Sequence, residues 1–327
     1  MRGLVFRAGA RTRRRSGEGR LLHRRTRARA GSLRDPEGRG GVFRNGSGQG
    51  GRHGAGRGSA RDTAAAAGPD RTLRAVIHYL LCATPRSGST LVAELLAQTG
   101  VAGIPNEHLL GWLPHRDRRE AAFWLELLQR TVDAGATSNG VTCCKVMPET
   151  FEAAMSLLRA VPGGAGLDAW QVAERAFLHP RVVRVQRRDR LRQAISLAIA
   201  EATGVWHMAR REGAVDPFLQ GALTPRRDDH AADLPFDYDR IRAHQAGIDA
   251  GERYWDELFA RHGVTAHVIT YEEFIRDRRS QLAAILDFLG IAWTADQLKV
   301  DVHLDRLSNA TNERFLALFR QEEARRR

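Results

Sequence analysis

From residue 75 onward, short apolar runs alternate with longer amphipathic stretches. Residues 75–83 are apolar apart from His78 and strand-sized, which predicts a buried strand. Thr84 and Pro85 end it. Leu91, Val92, Leu95 and Leu96 then fall on one face of a helix that starts at Ser89 and stops at Gly100. Residues 120–132 have a helical pattern with Phe123, Leu127 and Leu128 on a common side, and 140–147 form a second short strand ended by Pro148. Helices are expected over 149–158 and 168–177, either side of a Gly-rich loop at 161–166. Residues 181–186 alternate as a strand and lead into a helix striped by Leu191, Ile195, Ala198 and Ala202. A loop with Pro217, Pro225 and Pro235 follows, then a long helix (239–259), a strand (265–270), a helix (280–289) stopped by Gly290 and a charged helix (312–327). Strands alternating with helices predict an α/β three-layer sandwich with a central parallel sheet.

Charge divides the chain in two. The whole carries +13, which taken alone suggests a nucleic-acid partner. Residues 1–70 hold 17 Arg against 5 acidic residues, so they account for +12 and leave about +1 for the rest. That segment has no helical or strand periodicity and is expected to be a disordered Arg/Gly/Ala-rich tail. Residues 71–327 are expected to form one domain. The tail reads first as an extension without function, including a misassigned start, and second as a targeting peptide. RNA binding ranks last, because only Phe6 and Phe43 offer stacking platforms. No apolar run reaches about 18 residues, so no transmembrane helix is expected. Three cysteines (Cys82, Cys143, Cys144) make no disulfide framework and fit a reducing, cytoplasmic setting. No Cys/His spacing suggests a metal site.

The strongest chemical signal is the turn Thr84-Pro85-Arg86-Ser87-Gly88-Ser89-Thr90 between a strand and a helix. Small residues let a backbone wrap an anion, and the helix N-terminus favours negative charge there. The hydroxyls of Ser87, Ser89 and Thr90 add donors, and Arg86 adds charge. This P-loop-like segment lacks the lysine of a Walker A loop, and no convincing metal-binding acid follows. A second constellation is Arg187 and Arg188 at a strand end with Ser196 about two turns into the next helix. Such a guanidinium and hydroxyl can converge on one phosphate, and the residues alone leave open which of Arg187 and Arg188 would reach it. Lys145 ends the second strand, where it can neutralise developing charge.

The turn resembles the 5′-phosphosulfate loop of sulfotransferases that use 3′-phosphoadenosine 5′-phosphosulfate. The continuation Thr99-Gly-Val-Ala-Gly-Ile-Pro-Asn-Glu107 resembles the trehalose 2-sulfotransferase family of bacterial carbohydrate sulfotransferases. The likeness continues at residues 186–196, 203–206, 269–273 and 304–309. It implies that Arg86, Ser87, Gly88, Ser89 and Thr90 hold the 5′-phosphosulfate of that co-substrate. Arg187, Arg188 and Ser196 would serve the 3′-phosphate. Glu107 would be the general base for a carbohydrate hydroxyl, with Lys145 assisting, His108 a rival base or substrate contact, and Trp206 and His207 stacking on sugar or adenine. No metal is implied. The acceptor would be trehalose or a related glycan or glycolipid, and relatives can be homodimers. Ile104 departs from the family pattern, which is acidic there. A P-loop-like nucleotide-dependent kinase is the competing enzyme reading.

Overall fold

The computed structural model describes residues 77–206, 233–300 and 310–327. The tail, residues 211–232, His207 and the resemblance at 304–309 lie outside the described residues. Strand β1 (Ile77–Ala83) leads through the Ser/Gly turn into helix α1 (Ser89–Gln98). A 3₁₀ stretch (His108–His115), α2 (Ala121–Ala134), β2 (Val141–Val146), α3 (Pro148–Leu158) and α4 (Ala169–Ala176) follow. Next come β3 (Arg181–Gln186), α5 (Arg190–Thr203), α6 (Tyr238–His262) and β4 (Ala266–Thr270). Then α7 (Tyr271–Arg276), α8 (Arg278–Leu289) and α9 (Ala310–Arg326) complete the described elements.

Side chains of β1 alternate between two cores, as a strand buried on both faces requires. Tyr79, Leu81 and Ala83 pack with Val92, Leu95 and Leu96 of α1 and with Leu282, Ile285 and Leu286 of α8. Leu80 and Cys82 pack with α3, α4 and the C-terminal half of α6 through Phe151, Trp170 and Trp255. Burial of each such large apolar side chain contributes roughly 1.5–3 kcal/mol, which fixes the register of β1 between its helical layers. The chain is thus an α/β domain with helices on both sides of a central sheet.

The sheet is parallel throughout, in the order β2-β1-β3-β4. From β1 the chain moves outward to β2, returns past β1 to β3 and continues to β4. The direction reverses between β1 and β3, so a crevice opens where their C-terminal ends feed connections to opposite sides. The turn after Ala83 and the segment after Gln186 flank that crevice.

Most elements lie where the apolar pattern predicts them, with two differences. In α2 the fully buried side chain is Trp124, stacked edge-on with Phe123, whereas Phe123, Leu127 and Leu128 are only partly buried. Helix α7 and the 3₁₀ stretch have no counterpart in the sequence reading, because the first is only six residues long and the second has a tighter period with Pro114 inside it. No described helix is long and apolar enough to cross a membrane. The three cysteines are free and buried, and burial pushes their thiols up, Cys144 to about 12. They pack as apolar core.

Candidate active site at the sheet switch point

The turn after β1 is built by two left-handed residues, Arg86 (φ 62°) and Gly88 (φ 92°). Gly88 is the N-cap of α1 and has no side chain to satisfy the helix start. The first-turn N–H groups of Ser89 and Thr90 therefore remain available to an anion. Ser87 is fully buried, and its Oγ has no hydrogen-bond partner. A Cβ on Gly88 would lie 2.4 Å from Cδ2 of Tyr271, the first residue of α7. Only glycine lets that ring close the back of the turn.

Arg86 is a non-glycine residue in a left-handed conformation, which costs roughly 1–2 kcal/mol. Its side chain is anchored at both ends of the guanidinium. Nε donates to Ser196 Oγ at 3.1 Å, and one terminal nitrogen donates to the carbonyl of Trp206 at 2.7 Å. Ser196 thus meets Arg86, not Arg187. Arg187 lies alongside: it donates to the Arg86 carbonyl at 3.4 Å and stacks over the Tyr271 ring at 5.0 Å. Its Nε is buried without a partner. Burial and the neighbouring Arg187 hold Arg86 down to about 10, and burial lowers Arg187 as well. Two adjacent, partly buried guanidinium groups repel each other, and among the described residues neither has a carboxylate in an ion pair. Cations held this close together would each be favoured by a neighbouring anion.

Arg188 points elsewhere. It is ion-paired with Glu273, its side chain is 60% exposed, and its N–H donates to the Glu272 carboxylate. Asp189 caps α5 by accepting from the Arg192 N–H at 2.9 Å.

Across the turn, Lys145 is the last but one residue of β2 and is only 2% exposed. Its Nζ donates to Thr90 Oγ1 and to Glu107 Oε1, both at 3.0 Å. Its backbone N–H donates to the Asn106 carbonyl at 2.9 Å, and Asn106 bridges to Cys144 as a short parallel addition to the sheet. One lysine therefore holds the loop of Glu107 by its main chain and the carboxylate by its side chain. Glu107 is 27% exposed, so it stays reachable.

His108 starts the 3₁₀ stretch, and its Nε2 lies 2.9 Å from the Ile104 carbonyl. A carbonyl only accepts, so Nε2 carries the proton. Burial holds this imidazole below its ordinary range and keeps it neutral at pH 7. Ile104 packs its side chain on the core between β1 and α1, which explains how an apolar residue is accommodated there. The Trp206 indole is 43% exposed.

Sequence reasoning missed the layer beneath the turn. Thr84 Oγ1 donates to Glu252 Oε1 at 2.7 Å, and Gln193 Nε2 donates to Thr84 Oγ1 at 2.9 Å. Arg184, buried within β3, donates to Glu252 Oε2 at 2.9 Å. The signal was present: a charge inside a doubly covered strand needs a counter-charge.

The profile of the Stf0 sulphotransferase family matches residues 78–322. This chain belongs to that family. It is a sulfotransferase, and the crevice between β1 and β3 is its candidate active site. Among characterised relatives, the trehalose 2-sulfotransferase of Mycobacterium tuberculosis (strain ATCC 35801 / TMC 107 / Erdman) is 26% identical over 287 residues, covering 77% of this chain and 97% of that protein. The trehalose 2-sulfotransferase of Mycolicibacterium smegmatis (strain ATCC 700084 / mc(2)155) is 25% identical over 244 residues, covering 65% of this chain and 84% of that protein. Among the described residues no cluster of His, Cys, Asp and Glu could hold a metal ion.

Proposed function

We propose that this sulfotransferase moves a sulfuryl group from 3′-phosphoadenosine 5′-phosphosulfate to a carbohydrate hydroxyl, with trehalose or a related glycan or glycolipid as acceptor. The observation that carries the donor is the pair of partly buried guanidinium groups, Arg86 and Arg187, with no carboxylate in an ion pair among the described residues, beside the orphaned Ser87 hydroxyl. A nucleotide with two anionic positions would supply the counter-charges these groups lack among the described residues. The acceptor rests on the two relatives.

In this reading the P-loop-like turn takes the 5′-phosphosulfate. Ser87, Ser89, Thr90 and the backbone N–H groups from Gly88 onward donate to its oxygens. Arg187 and Ser196 take the 3′-phosphate, and Arg86, bonded to Ser196, lies between the two anions. Arg188 serves from outside, keeping the segment in place through Glu272 and Glu273. The donor supplies an activated sulfuryl group and a bisphosphate leaving group when bound.

Glu107 accepts the proton of the attacking hydroxyl. Lys145 orients that carboxylate and, through Thr90, places positive charge beside the turn as negative charge develops on the leaving oxygen. The neutral His108, committed through Nε2–H to a carbonyl, contacts the acceptor. The exposed Trp206 face stacks on a sugar or on adenine.

Two measurements test this. Calorimetry should show binding of adenosine 3′,5′-bisphosphate in preference to ATP with magnesium; the reverse order supports a kinase instead. Glu107→Gln should keep the bisphosphate affinity while turnover drops by about 100-fold or more. Unchanged turnover removes Glu107 from the proton transfer.

A further inference from the structure

Glu252 is an acid in the middle of α6, 7% exposed, and it touches three of the segments that build the site. Oε1 accepts from Thr84 Oγ1 at 2.7 Å and pairs with an Arg190 terminal nitrogen at 2.9 Å. Oε2 accepts from Arg184 and from Gln186 Nε2, both at 2.9 Å. Four donors around two oxygens saturate the carboxylate. Burial alone would raise its pKa, but the donors outweigh burial and hold it below the usual range. It is an ionised acceptor.

The donors sit at informative places. Thr84 opens the Ser/Gly turn. Gln186 immediately precedes Arg187. Arg190 is the first residue of α5, the helix that carries Ser196. Gln193, also on α5, donates to Thr84 Oγ1 and to the Pro85 carbonyl at 2.7 Å. One carboxylate thus ties the start of the turn to both sides of Arg187 and to the first residue of the helix that carries Ser196. Helix α6 reaches this depth because residue 251 is glycine: a Cβ there would stand 3.0 Å from Thr84 Cγ2 and 3.3 Å from Pro148 Cγ. One turn on, Trp255 Nε1 donates to the Ala83 carbonyl at 3.0 Å, and Asp256 pairs with Arg184.

We propose that Glu252 is a positioning residue that sets the spacing between the turn and the Arg187–Ser196 segment, and so selects nucleotides bearing both a 5′ and a 3′ anion. This rests on the donor reading above. It goes beyond that reading by placing the selectivity in a residue that touches neither anion. A glutamine at 252 offers an amide where two donors meet, so one of the tied segments must retreat.

The test is calorimetry on the full chain with adenosine 3′,5′-bisphosphate and with adenosine 5′-monophosphate. Wild-type protein should prefer the bisphosphate. Glu252→Gln should cut that preference at least about tenfold, the equivalent of one charge-assisted hydrogen bond, while monophosphate affinity changes less than about threefold. A parallel fall for both nucleotides, or no change, overturns the proposal. Should Glu252→Gln not fold, Thr84→Val carries the same expectation, with preference restored in Thr84→Ser; equal selectivity in Thr84→Val and Thr84→Ser overturns it. Wild-type protein with no preference for the bisphosphate overturns the donor reading and this proposal with it.

Discussion

Replacing Gly88 with alanine probes how tightly the turn is closed. The new Cβ would lie 2.4 Å from Tyr271 Cδ2, with Cε2 and Cγ at 3.1 and 3.2 Å. Carbon atoms rest comfortably at about 3.5–4.0 Å, so the ring or the turn must move by about 1 Å. Overpacking of that kind costs about 1–3 kcal/mol. The left-handed backbone at φ 92° costs an alanine about 1–2 kcal/mol more. The two together come to about 2–5 kcal/mol. Arg187 stacks on the same ring at 5.0 Å, so movement of Tyr271 also shifts a proposed phosphate ligand. If the turn relaxes, adenosine 3′,5′-bisphosphate affinity falls by about 30-fold or more, at 1.4 kcal/mol per tenfold. If it does not relax, the strain appears as a lowered Tm. Calorimetry and thermal unfolding on the same preparation read both. Gly88→Ala with Tyr271→Ala should recover the steric part of any stability loss but not the backbone part. A Gly88→Ala protein with wild-type affinity and wild-type Tm would refute the close-packing argument.

The arginine pair gives a contrast within one turn of chain: Arg187→Ala should weaken bisphosphate binding by about tenfold or more, whereas Arg188→Ala should stay within about threefold, because Arg188 faces Glu273. Equal effects in titration calorimetry would show that both reach the ligand. Acid should destabilise the fold before its carboxylates titrate. His78, His108, His244 and His267 are all held below the ordinary imidazole value by burial. The unfolded chain then binds protons first as pH drops below about 6.5, so stability present above that pH is lost on acidification, by up to about 1.4 kcal/mol per pH unit for each histidine. A Tm that stays flat between about pH 7 and about pH 5 would contradict this.

The first strand, the turn and α1 were legible because each announces itself locally: an apolar run, a cluster of small polar residues, then a helical stripe. The strand at Arg181–Gln186 is legible to the residue because its valines lie between clear stops, Pro180 before and the charged Arg187-Arg188-Asp189 after. What stayed hidden depends on contacts distant in sequence. Helix α6 carries Asp249, Glu252, Asp256 and Glu257 within three turns, and no local pattern says which of them turns inward. Arg184 demanded a partner but could not name one. Tyr271 matters only because β4 lies beside β3, which brings α7 against Gly88. The pairing of Ser196 with Arg86 likewise follows from the parallel order of β1 and β3. The global charge was the least informative signal: most of it lies in residues 1–70, whereas the proposed site rests on a few placed cations, Arg86, Lys145 and Arg187.

The most direct measurement is incubation of the full chain with labelled 3′-phosphoadenosine 5′-phosphosulfate and trehalose, with related glycans in parallel, and mass analysis of the products. The expected result is a sulfated carbohydrate formed in step with adenosine 3′,5′-bisphosphate and without added metal. Absence of transfer to every carbohydrate hydroxyl offered, alongside phosphoryl transfer from ATP with magnesium, would contradict it.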